Sequence, residues 1–305
     1  MSYLQIGYII KTRREQLGYS QEDLADGICA VATLSRIENG ERMPSKNHYE
    51  MLMQRLGYSA LSLDYFTDKQ DFIIHELKFR IRHAYMEKDF DLCRRLLGEF
   101  CALSGERSTI DTQFISLYDT LLNEKTLSVE EQLRRLETAL RLTCPQYGEN
   151  FAPKVLSYEE IIILNNIALC YRAMDQRIRA VDILYVIKNY YDKQVCSAEE
   201  ALRTRPMILY NLSSDLGMLG QYDACIAVCD EAINLARRTY RYASYDKILY
   251  NRAWSLLRRD RTGDREQARL SLKQAYGFAY AADNAKMMEI LQVFFQENFL
   301  EEISV

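Results

Sequence analysis

Arg14-Glu-Gln-Leu-Gly18-Tyr-Ser-Gln-Glu-Asp-Leu-Ala25, followed after a short gap by Leu34-Ser-Arg-Ile-Glu-Asn-Gly40, decides the reading of this chain. Gly18 stops a helix that runs over Tyr3–Leu17, with Leu4, Tyr8 and Ile9 as its apolar candidates. Ser20-Gln-Glu-Asp23 has the form of a capping box with Asp in place of Glu, and opens a second helix carrying Leu24, Ala25 and Ile28. Gly27 allows a sharp turn. A third helix covers about Val31–Asn39, with Leu34 and Ile37 as its buried edge and Gly40 suited to its C-cap. Pro44-Ser45 leads into a fourth helix with Tyr49, Leu52, Met53 and Leu56 inward, and a fifth, short one is expected near Leu61–Phe66. Two short helices joined by a Gly-containing turn, the second free to enter a major groove, make a helix-turn-helix arrangement.

The rest of the chain is read outward from there. The 305 residues hold only 12 Gly and 4 Pro, and five of the glycines fall in the first 57 positions. Such sparse punctuation in a chain 48% hydrophobic and 27% charged points to an all-α globular protein. No apolar run reaches the ~18 residues of a membrane span, and Met1–Tyr19 is not a signal peptide. The expected protein is soluble and cytoplasmic, with no membrane partner. Net charge is −4, and residues 1–66 carry seven Lys/Arg against eight Asp/Glu. Nucleic-acid binding must therefore rest on local placement of charge. Eight cysteines are scattered without a CxxC, so the expectation is reduced, mostly buried thiols. Cys225 and Cys229 are spaced to share a helix face, but no His or Cys pair completes a zinc set. No cofactor is expected.

The two quoted blocks resemble the Cro/C1 (XRE) repressor family. The Gly27-Ile28-Cys29 turn is similar, more narrowly, to the PlcR/Rgg/PrgX-type (RRNPP) peptide-responsive regulators. The resemblance covers about residues 6–66. Gln21 lies at the amino end of the second helix, where backbone N–H groups and the helix dipole suit a phosphate. Thr33 and Arg36 lie one turn apart on the third helix and can face bases; Arg can fork to guanine O6 and N7. Ser35, Asn39, Arg42 and Lys46 are candidates for phosphate contact. Arg14 and Glu38 resemble the family's internal ion pair. Ala30-Val31-Ala32 is apolar where the family often has small polar residues, which weakens a polar cap and leaves methyl contacts to thymine open.

From Thr67 onward the chain reads as degenerate helix pairs. Ile163-Leu-Asn-Asn166, Ile208-Leu-Tyr-Asn211 and Ile248-Leu-Tyr-Asn251 align, and each is followed by a second amphipathic helix, at Ile178–Tyr191, Tyr222–Arg238 and Asp264–Ala281. Leu216–Ala232 resembles a tetratricopeptide repeat across its turn. Asp71–Met86 with Phe90–Leu103, and Thr109–Asn123 with Val129–Leu142, form two weaker pairs. Met287–Phe299 is expected as a terminal cap, and the loop around Cys144–Pro153 as a flexible segment. Stacked pairs imply a right-handed superhelix after the five-helix amino-terminal domain, giving a division into residues 1–66 and 67–305. An Asn amide matches a peptide backbone N–H and C=O. Asn166, Asn211 and Asn251 are therefore candidates to hold an extended peptide, although Asn at such positions can equally bond neighbouring helices. Tyr210, Tyr250 and Trp254 are candidate pocket residues, or core, and Lys247 a candidate for a terminal carboxylate.

Lys78-Phe-Arg-Ile-Arg-His83 alternates basic and apolar residues, as either a DNA-flank contact or a solvated helix face. Glu159-Glu160 and Glu301-Glu302 read as solvated helix-end charge. No phosphate loop, HExxH or Gly-x-Ser-x-Gly is present, so an enzyme is not expected. The resemblance implies a homodimeric regulator that binds a palindromic operator and a short signalling peptide. The alternative is a DNA-binding regulator whose repeats serve only dimerisation or docking.

Overall fold

The computed structural model describes residues 3–56, 69–103, 108–148, 151, 153, 156–193 and 199–303. The expected fifth helix at 61–66, the 66/67 boundary and Cys196 lie outside these residues. So do 149–150, 152 and 154–155 of the loop read as flexible. The described residues are helical, with no strand among them, and divide into two compact units, 1–174 with 189–201 and 175–188 with 202–305.

In the first unit, four helices form the amino-terminal part: α1 (Tyr3–Gln16), α2 (Gln21–Ala25), α3 (Val31–Glu38) and α4 (Lys46–Arg55). The α2 start is a complete capping box. The Asp23 amide donates to Ser20 Oγ at 3.0 Å, and the Ser20 amide donates to Asp23 Oδ2 at 3.1 Å. Ser45 caps α4 through the His48 amide. On α1 Ile6 and Ile10 are fully inward and Ile9 packs partly buried against the same core; Tyr8 is 68% exposed, which corrects the sequence expectation for it, and the Leu4 side chain lies outside the described residues. The reason is Gly7. A Cβ there would lie 2.2 Å from the Ile37 carbonyl oxygen, so the glycine side of α1 is the side that packs on α3. Leu24, Leu34, Ile37, Leu52 and Leu56 complete a core with Ile6 and Ile10, and Ile110 from a later helix joins the same cluster.

The first unit continues through α5 (Lys69–Met86), α6 (Phe90–Ala102), α7 (Thr109–Leu122), α8 (Val129–Arg141) and α9 (Tyr158–Ala173). α5 packs on α6, α6 on α7, and α8 on both α7 and α9. Asp89, Ser108, Ser128 and Ser157 each accept an amide hydrogen bond at a helix start, which fixes where these helices begin. α10 (Arg177–Lys193) and α11 (Glu199–Met218) follow. The second unit holds α12 (Tyr222–Thr239), α13 (Tyr245–Arg259), α14 (Asp264–Ala281) and α15 (Ala285–Phe299), each packed on the next. Its core includes Leu212, Leu216, Ile248, Leu256, Leu272 and Phe295. Cys225 and Cys229 are both buried in it, and the Cys225 thiol donates to the Ser213 carbonyl at 3.1 Å. No disulfide joins the described cysteines. No described helix is long and apolar enough to cross a membrane, and no described cluster of His, Cys, Asp or Glu has a metal-binding arrangement.

Candidate functional site

The α3 surface presents several of the residues that the sequence puts forward for DNA contact. Leu34 and Ile37 point into the core, and that rotation leaves Ala32, Arg36 and Asn39 exposed, with Thr33 and Ser35 half-buried. Arg42, just past the helix, is exposed as well. Thr33, Arg36 and Asn39 follow at three-residue steps, so one face carries a hydroxyl, a guanidinium and an amide. The Ala30 N-cap makes no side-chain bond, and Ala30 and Val31 are exposed, so this helix start offers methyl groups.

The inner side is tied together by charge. Arg14 on α1 meets Glu38 on α3 through two bonds, Nε to Oε1 at 2.6 Å and Nη2 to Oε2 at 2.8 Å, and its Nη1 donates to the Tyr19 carbonyl at 2.9 Å. The bond to Glu38 raises the Arg14 guanidinium above its usual value against the opposing effect of burial. Gln21 donates its side-chain amide to Glu38 Oε2 at 2.8 Å. Gln21 is thus committed to the same network, where the sequence reading puts it against a phosphate. Lys46 departs from the sequence reading. It is 3% exposed, so in this arrangement it is closed to a phosphate.

The stretch Lys78–His83 also departs from both of its readings. Lys78 is 2% exposed and its Nζ lies 2.6 Å from Asp111 Oδ1, while Arg82 donates to Glu159 at 3.0 Å; only Arg80 and His83 of its basic residues are exposed. Glu159 and Glu160 are 3% and 0% exposed, not solvated. These inward ion pairs are missed by the sequence reading, although Ser157-x-x-Glu160 is a legible capping box.

In the repeat helices the candidate peptide residues separate. Asn166, in the first unit, is half-buried and bonds the Ile162 carbonyl one turn back in its own helix at 2.8 Å. In the second unit, Asn211 is 6% exposed, which closes it to a surface ligand. The Asn251 amide donates to Ser213 Oγ at 2.9 Å and so ties α13 to α11. Lys247 is exposed, sits 5.5 Å from the centroid of the Tyr210 ring, and lines a groove of about 400 Å³ with Tyr242, Asp246 and Phe278. Tyr250 packs edge-on against Phe294 at 5.1 Å. Trp254 meets Tyr222 at 6.0 Å and carries the Arg258 guanidinium 3.5 Å from its ring centroid. The structure therefore sets Lys247 against the Tyr210 ring and at the edge of a groove that Tyr210 does not line. It places Asn211 and the Asn251 amide in the packing between helices.

Residues 10–63 match the helix-turn-helix family model. The amino-terminal part is a helix-turn-helix DNA-binding domain. No curated protein matches the chain by sequence. Solved structures do match it. PlcR of Bacillus thuringiensis, in complex with the peptide PapR7 and DNA, is 18% identical, covers 94% of this chain and 99% of its own, and superposes with a TM-score of 0.58. Apo PlcR is 16% identical, covers 94% and 98%, and has the same TM-score of 0.58. The competence regulator ComR of Streptococcus vestibularis, in complex with its signalling peptide XIP, is 19% identical over 97% of this chain and 98% of its own, with a TM-score of 0.50. The chain has the PlcR fold: an amino-terminal helix-turn-helix domain followed by a helical repeat domain.

Proposed function

We propose that this protein is a transcriptional regulator that reads an operator through α3 and whose repeat helices bind a short peptide that controls that reading. DNA recognition is supported by the exposed face of α3, where Arg36, Asn39 and Arg42 stand free of the core while Leu34 and Ile37 fix the helix rotation. Arg36 reads a base edge, and Arg42 and the α2 backbone amides position the domain on phosphates. Peptide sensing is supported by the fold shared with PlcR, which has been solved with peptide and DNA. Lys247, exposed at the groove, would meet a peptide carboxylate, and Tyr210, in contact with Lys247, an apolar side chain beside it. The protein acts as a homodimer in the cytoplasm, and two α3 helices address half-sites about one DNA turn apart, or a multiple.

One observation favours the second reading, a repeat scaffold without a ligand. The Asn251 amide is used to join α13 to α11, and Asn211 is buried. The test is fluorescence anisotropy on DNA from upstream of the gene, at fixed salt, with and without the peptide fraction of spent culture medium. Binding that shifts with the fraction, and no longer shifts after Lys247→Ala, supports peptide sensing. Specific binding that ignores the fraction supports the scaffold.

A further inference from the structure

The first turn of α9 carries two buried charges. Glu159 and Glu160 are consecutive, and each takes a guanidinium from a different helix. Glu159 accepts from Arg82 of α5, and Glu160 Oε1 accepts from Arg55 Nη2 of α4 at 2.9 Å. Glu160 Oε2 accepts the Ser157 amide at 2.6 Å, so the residue that caps α9 also holds the DNA-binding domain. Arg55 is 2% exposed. Its Nη1 donates to the Leu24 carbonyl at 3.2 Å and also to the Asp26 carbonyl, at the turn that leads into α3. Burial opposes the charge on Glu160, but Arg55 and the Ser157 amide outweigh it and keep the carboxyl below its usual range.

Three further contacts join the same surfaces. Gly27, at φ +69°, faces the end of α8 so closely that a Cβ would lie 1.5 Å from the Thr143 carbonyl oxygen. Asn47 donates to Ser108 Oγ at 2.9 Å and to Asp111 Oδ2 at 3.1 Å. Ile110 of α7 lies within the apolar core of the amino-terminal domain. None of these contacts uses Thr33, Arg36, Asn39 or Arg42, and the last three remain exposed.

We infer that the amino-terminal domain binds DNA while still docked on α7–α9, with Arg55 and Glu160 as positioning residues that fix its pose through the first turn of α9. The inference rests on the reading that α3 binds DNA. The docking contacts and the exposed face of α3 do not compete, so engagement needs no release. A docked domain arrives already ordered; an undocked one must be ordered at the moment of binding, and a loose tether lowers the effective concentration of the second recognition helix at its half-site.

The experiment uses the full chain and a duplex selected by the wild-type protein from sheared genomic DNA. Anisotropy is measured across a salt series for Glu160→Gln and Asn47→Asp, with circular dichroism to establish that each is folded. Asn47→Asp sets a carboxylate against Asp111 at the docking surface without touching the Arg55–Glu160 pair, and stands in if Glu160→Gln fails to fold. The expected result is a threefold or greater loss of affinity with an unchanged salt slope, because no phosphate contact is removed. A smaller loss, no change, a gain of affinity or a changed slope overturns the inference; a gain would mean that docking restrains the domain. Arg36→Ala tests the underlying reading separately. If it leaves affinity intact, α3 does not read this DNA, whatever the docking variants do.

Discussion

Replacing Arg55 by Met separates a buried ion pair from an ornamental one. Glu160 is 0% exposed and Arg55 2% exposed, so neither charge is reached by solvent. Removing the guanidinium leaves a carboxylate without its counter-charge and strips a charged donor from the Leu24 and Asp26 carbonyls. Breaking one side of such a pair costs about 3–5 kcal/mol, against about 0–1 kcal/mol for an exposed pair. The double variant Arg55→Met/Glu160→Gln removes both charges, and the substituted glutamine amide still offers an oxygen to the Ser157 amide. It should therefore recover about 1–3 kcal/mol of the single variant's loss. The assay is hydrogen exchange read on the α4 and α9 amides, with denaturant unfolding of the same four proteins of the cycle. A single-variant cost below about 1 kcal/mol, or strictly additive costs, would refute the account of Arg55–Glu160 as a closed, desolvated anchor.

Other outcomes follow from particular contacts. Gly18 and Gly27 both have positive φ, but a Cβ on Gly18 meets open space while one on Gly27 strikes the Thr143 carbonyl. Gly18→Ala should cost about 1 kcal/mol and Gly27→Ala at least about 2 kcal/mol more, read as melting temperatures converted to free energy. Arg42→Ala should lower the magnitude of the log–log salt slope of DNA binding by about 1 per protomer, whereas Lys46→Met should leave it unchanged because Lys46 is buried. Glu160 and Asp111 both have carboxyls held below their usual range, Glu160 by Arg55 and Asp111 by Lys78, each against burial. A depressed carboxyl contributes stability that is complete above its unfolded pKa, about 4, and is lost as pH falls through the lower folded value. The stability gap between wild type and Glu160→Gln should thus hold from pH 7 to about 5 and narrow below about 4 in acid titrations followed by circular dichroism.

What the sequence made legible is what local chemistry decides. The Ser20/Asp23 box, the start of α12 at Tyr222 and both ends of α14 at Asp264 and Ala281 fall where the sequence expectation puts them. A cap or a breaking residue acts within one turn of itself, so its neighbours carry the whole signal. The rotation of α1 was not legible, because Gly7 reads as a weak helix residue until its partner, the Ile37 carbonyl, is known. The charges were least legible. Arg55 and Glu160 are 105 positions apart, and a basic or acidic letter looks the same whether it meets water or a counter-ion. Lys46, Lys78 and Arg82 read as facing DNA or solvent for that reason, and all three turn inward or into ion pairs. The signal that was available at Glu160 was combinatorial. It sits at the third position of a capped helix whose Ile161, Ile163, Leu164 and Ile167 leave little room for a solvated face. At Asn251 the repeat position pointed to a polar role, but alignment alone does not say whether the amide meets a ligand or Ser213.

The inward turn of these cations changes how the domain can bind DNA. Seven Lys/Arg lie in the first 56 residues. Arg14, Lys46 and Arg55 are buried, and Arg13 is half-buried with its Nε on the Leu56 carbonyl, which leaves Lys11, Arg36 and Arg42 exposed. Glu15, Glu22, Asp26 and Glu41 are exposed as well, so the exposed charged groups among the described residues of the domain carry no net positive charge. Electrostatic attraction is the sequence-independent share of DNA affinity, and here few groups supply it. On the proposed reading, binding then leans on shape, on the few groups of α3 that meet bases and on the use of two half-sites. Each of these is sensitive to orientation, whereas diffuse charge is not. A domain built this way gains from a fixed pose, and the guanidinium that would have added to its surface charge is used instead, at Glu160, to hold that pose.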